Sequence, residues 1–323
     1  MSDLPKVAVL GCGHMGLRHI AAYRDLGVEV AAFDATTSAL LAAAAMGARG
    51  AGSAGELLDD PGIEVVDVCL PTHLHAEVVR TALLRGHHVI SEKPLCLNLR
   101  QALEIREAEA TAGRMVKVGY VYRFAPFIQD LRRRVADGLV GTPRFGLIRL
   151  GAGGSRSAWK HQRDQGGGSD TEMLSHALDL ALWLFGRPHH LEVGARWQVM
   201  PERVIGGSVV RPDSEDMSVA RGRFGSVDVV LLADLVSSAP MAYLEIHGSA
   251  GAVVVSGPQD GGRLVVRGEP SLVLPAPAAS EPWLTAQLRG FLHDFDRGEQ
   301  ADTHTVGDTI ALLECLRTTE HQR

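Results

Sequence analysis

Apolar and polar positions follow two different rhythms along this chain. Over roughly the first 120 residues, short apolar runs at 6–10, 28–33, 65–70, 87–91 and 115–119 read as buried strands. Between them, 14–26, 37–46, 74–85 and 98–112 carry apolar residues at helical spacing. Gly27, Gly47, Gly86 and Gly113 each follow one of these helices, where a terminating glycine belongs. Strand–helix alternation of this kind predicts right-handed crossovers and a parallel, doubly wound α/β sheet. The rhythm changes at Tyr122-Arg123-Phe124-Ala125-Pro126. After a helix at 127–137, alternating strands are predicted at 144–150, 191–199, 217–223, 226–235, 242–247, 252–255 and 263–267. One long helix, 170–185, interrupts them, and helices at 282–297 and 304–319 close the chain. The expected architecture is an α/β domain over 1–123, followed by an α+β domain over 124–323 with a large open, mostly antiparallel sheet.

The first strand runs directly into Gly11-Cys12-Gly13-His14-Met15-Gly16, a G-x-G-x-x-G turn, and the helical spacing resumes at once. The second strand ends in Asp34, 18 residues beyond Gly16, close to the ~20-residue offset of a ribose-binding acid. Gly11 allows the tight turn, Gly13 lets backbone approach a pyrophosphate, and Gly16 lets helix and strand pack closely. The helix start offers free N–H groups and a positive dipole end to the phosphates. Together these predict a dinucleotide site with Cys12, His14 and Met15 in its turn. Asp34 has no arginine beside it, so its carboxylate predicts NAD rather than NADP.

Composition narrows the class further. At 323 residues the chain is long enough for two domains with substantial cores. A net charge of −6 from 32 basic and 38 acidic side chains argues against a nucleic-acid partner. No run of ~18 apolar residues predicts a membrane span. The first strand begins at residue 6, which predicts no signal peptide and a cytoplasmic location. The four cysteines lack C-x-x-C spacing and read as reduced thiols, neither a zinc site nor a disulfide framework.

In doubly wound sheets, ligands bind beyond the carboxyl ends of the strands. The third strand ends in Leu70-Pro71-Thr72-His73-Leu74-His75 and the fourth in Ser91-Glu92-Lys93-Pro94. Leu70, Thr72, His75, Glu92 and Lys93 are therefore expected at the cofactor. A lysine held between glutamate and proline fits a cation that steadies charge on a substrate oxygen. By position alone, an ordinary loop lysine fits as well. His73 and His75 lack a third metal ligand, and no metal is expected. Farther on, Gly166-Gly167-Gly168 precedes Glu172, His176 and Asp179, spaced to share one face of a helix that is otherwise apolar. Ionisable groups on a buried helix either form a satisfied network or line a wet site. The triple glycine tips the reading toward close ligand approach. Trp159 and Lys160 fit either a polar pocket or an exposed loop.

In this order, Gly11-x-Gly13-x-x-Gly16, Pro71-Thr72-x-x-His75, Glu92-Lys93-Pro94, Tyr122-Arg123-Phe124-x-Pro126 and Gly166-Gly167-Gly168-x-x-x-Glu172-x-x-x-His176-x-x-Asp179 resemble the glucose-fructose oxidoreductase, inositol dehydrogenase and rhizopine-catabolism (Gfo/Idh/MocA) family. The resemblance covers essentially the whole chain. It implies a Rossmann domain, a nicotinamide cofactor, and hydride transfer with a secondary alcohol of a sugar or cyclitol. Lys93 matches the family lysine at cofactor and substrate, and His176 matches the acid/base histidine. Glu172 stands where many inositol dehydrogenase-like members have Asp, which leaves its role open between orienting substrate and tuning His176. Tyr122, Arg123, Trp159, Lys160, Glu172 and Asp179 are the expected substrate contacts. Lys93 and His176 are expected to meet at one substrate oxygen. A ketoreductase acting on an activated or antibiotic-linked keto-sugar, and an NAD-binding sensor without turnover, are the alternatives. The apolar residues of 226–235 and 242–247 predict a homodimer or homotetramer formed through the second sheet.

Overall fold

A computed structural model describes residues 4–152, 157–257, 262–266, 272–274, 281–299 and 303–320. The chain forms two compact units, one comprising residues up to Val121 plus Glu281–Ile310, the other Tyr122–Ser280 plus residues from Ala311 onward. The first unit is thus not one continuous stretch, as a division at 123/124 assumes. It recovers a segment from near the end of the chain.

The first unit alternates β1 (Val7–Leu10), α1 (His14–Asp25), β2 (Val30–Phe33), α2 (Thr37–Ala45), β3 (Arg49–Gly50), α3 (Ala54–Leu58), β4 (Val65–Val68), α4 (Thr72–Leu84), β5 (His88–Ser91), α5 (Leu99–Ala112) and β6 (Val116–Val118). Its six strands lie in the order β3-β2-β1-β4-β5-β6, all parallel. Strands buried on both faces explain the unbroken apolar runs: every residue of β1 and β4 is buried. Register aligns Leu10 with Phe33 and Val68, and Val68 with Ser91. The residues that follow these strands therefore leave the sheet at one level. The strand order reverses between β1 and β4, the point at which open α/β sheets bind ligands. The short β3 and α3 have too few residues to show a periodicity, and the sequence pattern does not reveal them.

Gly16 sets how closely α1 approaches β1. A Cβ there would lie 1.9 Å from the Gly11 carbonyl oxygen and 3.5 Å from the Cys69 Cβ. Gly11 has φ +96°, and a Cβ on it would meet the Cys69 carbonyl oxygen at 2.6 Å. Gly13, by contrast, has no atom within 4 Å of where its Cβ would stand. The returning helix α8 (Trp283–Arg297) packs on α1. Nearby, Lys117 in the middle of β6 is buried and donates to Asp294 Oδ2 at 2.6 Å, Thr303 Oγ1 at 3.1 Å and the Glu299 carbonyl at 3.3 Å. Three donors meet three acceptors, which satisfies an ammonium that burial alone would penalise.

The second unit holds α6 (Pro126–Ala136), β7 (Pro143–Gly151), α7 (Ser175–Phe185), β8 (Pro188–Trp197), β9 (Arg203–Ile205), β10 (Ser208–Val210), β11 (Met217–Phe224), β12 (Val227–Asp234), β13 (Met241–Gly248), β14 (Gly251–Ser256), β15 (Gly262–Val266) and β16 (Leu272–Leu274). Eight strands form an open sheet ordered β16-β15-β14-β13-β7-β12-β11-β8, antiparallel except for the β7–β12 pair. The β9–β10 hairpin stands apart as a two-stranded sheet. Residue 267 of the predicted strand 263–267 lies outside the described residues. Helix α7 packs on β7 and β12, and α9 (Val306–Glu320) ends the chain. The predicted helix 170–185 is two pieces: Asp170–Leu174 is a π-helical turn, and the α-helix starts only at Ser175. Among the described residues, no helix is long and apolar enough to cross a membrane.

The glycine contacts separate two substitutions. Gly16→Ala must displace backbone and is expected to destabilise the chain by about 1–3 kcal/mol in chemical denaturation. Gly13→Ala enters open space and is expected to shift stability by less than ~0.5 kcal/mol. Equal stability of the two variants would contradict the close-contact account.

Candidate functional site

Residues leaving β1 and β2 build one corner of the first unit. Asp34 is half-buried, and its carboxylate accepts from the Cys12 backbone N–H at 2.7 Å through Oδ2 and from Thr36 N–H at 2.7 Å through Oδ1. The acid at the end of β2 is thus tied directly to the glycine turn. Helix α1 begins at His14 with Gly13 as its cap residue, and no side chain caps it. Its first N–H groups are left for an anion. His14 and Gly13 are exposed and Met15 is half-buried, touched by Arg18 Nη1 at 3.7 Å from its sulfur. Cys12 is buried, and burial together with Asp34 pushes its thiol up to about 11, so it stays protonated.

The β4 and β5 ends build the neighbouring corner. Thr72 opens α4 with its hydroxyl buried and without a hydrogen-bond partner among the described residues. Leu70 is half-buried beside it. His75 is 1% exposed, with Nδ1 2.8 Å from the Pro94 carbonyl and Nε2 2.7 Å from the Leu70 carbonyl. Burial lowers its pKa against the pull of those two carbonyls. Both ring nitrogens face backbone carbonyls, so His75 lies between the β4 and β5 exits, its neutral ring donating to one of the two. Glu92 is buried and its Oε2 accepts from the Lys93 backbone N–H at 3.2 Å. Lys93 itself is half-buried and joined to Pro94 by a cis peptide bond.

These features fit a dinucleotide. Bare space over Gly13, an uncapped helix start, a carboxylate fixed at the β2 end and an orphaned buried hydroxyl at Thr72 are what a diphosphate with ribose and nicotinamide would complete.

The second unit gathers a different set. Glu172 sits in the π-helical turn and is 7% exposed; its Oε2 accepts from Lys160 Nζ at 2.6 Å. The Lys160 ammonium also stands 5.3 Å from the half-buried Trp159 ring centroid. His176, in the first turn of α7, meets Tyr122 edge-on with ring centroids 5.2 Å apart. Burial pushes the Tyr122 hydroxyl upward, so it is a neutral hydrogen-bonding group. The triple glycine serves packing here. A Cβ on Gly167 would strike the Lys160 carbonyl at 2.5 Å, and one on Gly168 would strike Glu215 Oε1 at 2.4 Å. The glycines let the Lys160 segment come down onto the turn that carries Glu172, so close approach is by the chain's own backbone rather than by a ligand.

Arg123 and Asp179 also depart from the expectation. Both are buried, at 3% and 1% exposed, and Arg123 Nε and Nη2 grip Asp179 with contacts of 2.5–3.1 Å. They form a desolvated fork that fastens α7, not a pair of substrate-facing groups. The sequence reading also missed the support under the π-helical turn. Asp170 N–H donates to Glu215 Oε1 at 3.2 Å, Asp170 binds Arg196 at 2.7 Å, and Ser169 and Ser218 hydroxyls pair at 2.5 Å. The available signal was Ser214-Glu215-Asp216 ahead of β11, a polar run that the structure buries.

Comparison with known proteins agrees with this build. Residues 5–120 match the model of an oxidoreductase family with an NAD-binding Rossmann fold, and residues 128–254 match the Gfo/Idh/MocA C-terminal domain. The inositol 2-dehydrogenase of Streptomyces avermitilis is 32% identical over 197 residues, covering 58% of this chain and 55% of that protein. The D-glucoside 3-dehydrogenase of Escherichia coli is 29% identical over 235 residues, covering 69% of this chain and 66% of that protein. The matched stretch thus spans between about half and two thirds of these relatives' lengths. A levoglucosan dehydrogenase solved with NADH and L-sorbose shares the fold with a TM-score of 0.85 at 20% identity, over 98% of this chain and 97% of that one. With both of its domains matched, this chain belongs to the Gfo/Idh/MocA oxidoreductase family.

Proposed function

We propose that this chain is an NAD-dependent dehydrogenase that interconverts a secondary alcohol and a ketone on a neutral sugar or cyclitol. The observation that carries the reading is the glycine turn with Asp34 bonded to its Cys12 amide at 2.7 Å beside the bare Gly13. Gly11, Gly13, Gly16 and the first turn of α1 would hold the diphosphate, Asp34 the adenosine ribose, and Thr72, Glu92 and Lys93 the nicotinamide end. Bound NAD supplies the hydride acceptor. His176 takes the hydroxyl proton as the carbon–hydrogen bond opens, acting as general base. Lys93 donates to the same oxygen and stabilises its alkoxide character. In the reverse direction His176 returns the proton.

Charge favours a neutral polyol over a sugar phosphate, sugar nucleotide or acid. The Lys160 ammonium is neutralised by Glu172 at 2.6 Å, and the Arg123 guanidinium is neutralised by buried Asp179. A neutral hydroxyl donates to Glu172 and accepts from Lys160 without breaking that pair, whereas an anion must compete with the carboxylate already there. The panel that tests this reading is myo-inositol, scyllo-inositol, a methyl glucoside and levoglucosan, followed by NAD reduction. The expected result is turnover of a neutral member, and turnover confined to phosphorylated or nucleotide-linked sugars would defeat the proposal.

Two substitutions probe the roles. His176→Ala and Lys93→Ala are each expected to lose at least ~10²-fold in kcat. His176→Ala should bind NADH normally by fluorescence titration, since His176 belongs to the unit without the glycine turn. Near-normal turnover in both variants would remove the mechanism. For the cofactor, Asp34 repels a 2′-phosphate, so kcat/KM is expected to be about tenfold or more higher with NAD than with NADP. Asp34→Ser combined with Ala35→Arg should move the preference toward NADP. A wild-type chain that favours NADP contradicts the assignment of Asp34.

A further inference from the structure

Beneath the glycine turn lies a buried polar cluster of which the mechanism above uses only Glu92. His19 stands one turn after Gly16 in α1 and is fully buried. Its Nδ1 lies 2.7 Å from Asp67 Oδ2 and its Nε2 lies 3.1 Å from Glu92 Oε1. Asp67, at the centre of β4, is also fully buried and accepts from the Tyr23 hydroxyl at 2.7 Å and the Cys69 thiol at 3.5 Å. Glu92 uses its other oxygen, Oε2, to accept from the Lys93 backbone N–H at 3.2 Å.

Both nitrogens of one imidazole face carboxylate oxygens. A neutral ring has one N–H and would aim a lone pair at the second carboxylate. An imidazolium donates to both, and it places one cation between two anions where burial makes unpaired charge costly. The connectivity then runs without a gap from the helix that begins at the glycine turn, through His19 and the Glu92 carboxylate, to the amide of Lys93.

We propose that His19 is a positioning residue of the reaction: a protonated imidazolium, clamped between Asp67 and Glu92, that fixes Glu92 and through it Lys93 relative to the helix following the glycine turn. This deepens the dehydrogenase reading and rests on it for the role of Lys93. Two carboxylate acceptors, rather than the two neutral carbonyls that flank His75, favour the charged ring.

The groups facing His19 are consistent with this. From β4 and its exit come Asp67 and Cys69, from the β5 exit Glu92, and from its own helix Tyr23. From α8, which packs on α1, the buried Asp294 is taken up by Lys117. Burial opposes the imidazolium, the neighbouring Asp67 and Cys69 favour it, and the ring's pKa is raised well above its ordinary value. Burial and Asp67 likewise raise the Cys69 thiol far above its ordinary value. His19, Asp67 and Cys69 bring three ligand-type atoms within 4.8 Å, but with the thiol protonated they form a hydrogen-bond cluster rather than a thiolate metal site. Because the folded pKa of His19 is raised, its contribution to stability is complete below the ordinary histidine value. That contribution fades only as pH rises through the folded value.

The direct test is the nitrogen-15 NMR spectrum of the imidazole rings in the full chain at about pH 8.5, two units above the ordinary histidine pKa. The expected result is one ring with both nitrogens protonated, lost in His19→Gln and shifted in Glu92→Gln, so that assignment does not depend on a single variant folding. A neutral His19 ring at that pH overturns the proposal. The functional arm measures the panel member with the highest turnover. His19→Gln is expected to lower kcat by about 10- to 100-fold, the scale of a small misplacement at the reacting centre, with KM and the NADH dissociation constant unchanged. Tyr23→Phe removes a donor to Asp67 but no link to Lys93, and should keep wild-type kcat. If both variants lose only thermal stability and keep kcat, the cluster is merely structural and the positioning role is wrong. The ring spectrum needs no substrate. A protonated His19 in a chain that oxidises no polyol would defeat the dehydrogenase reading and leave the clamp standing, and a neutral ring in an active enzyme would do the reverse.

Discussion

The contact between Gly16 and the Gly11 carbonyl governs the first unit. With no Cβ at position 16, the first turn of α1 lies against the end of β1 at a separation that any side chain would prevent. That approach carries His19 down to Asp67 and Glu92 and turns the free N–H groups of α1 outward beside Gly13. It also lets the Cys12 amide reach Asp34 at the end of β2. Four structural consequences therefore follow from one missing methyl group: an uncapped helix start, a carboxylate bonded to the glycine turn, a histidine set between two carboxylates and a Glu92 oxygen at the Lys93 amide.

The second unit solves a different problem, holding two carboxylates at low solvent exposure by pairing each with a cation. Glu172 takes Lys160, and Asp179 takes Arg123. The π-helical turn at Asp170–Leu174 inserts an extra residue per turn ahead of α7, a feature found mostly at functional sites. Glu172 and His176 consequently do not share the simple one-turn spacing of an α-helix, and Glu172 meets a residue twelve positions upstream. In the proposed reaction a substrate hydroxyl would meet an acceptor and a donor already held at hydrogen-bond length.

The first sheet was legible because its signals are local. A parallel strand buried on both faces writes itself as an apolar run, and a glycine turn between strand and helix appears within six residues. The domain family followed from motifs whose spacing the fold preserves. What stayed hidden depends on partners remote in sequence. The partner of Lys117 in β6 is Asp294, 177 residues later on α8. His75 reads as a cofactor contact, and only the fold shows the carbonyls of Leu70 and Pro94 standing at its two nitrogens. Glycines 166–168 read as room for a ligand, whereas the Lys160 backbone stands against Gly167 and the Glu215 side chain against Gly168. His19 carries no sequence signal at all, since only the fold brings its two carboxylates together.

In the proposed reaction a carbon-bound hydrogen of a neutral polyol passes to NAD while His176 removes the hydroxyl proton. Isotope transfer tests it most directly. The turned-over polyol is supplied with deuterium on the carbinol carbon, and the reduced cofactor is examined by mass spectrometry and NMR. The account predicts one deuterium at C4 of the nicotinamide for each ketone formed, on a single face of the ring. Deuterium lost to solvent, or retained in a product formed without cofactor reduction, would contradict it.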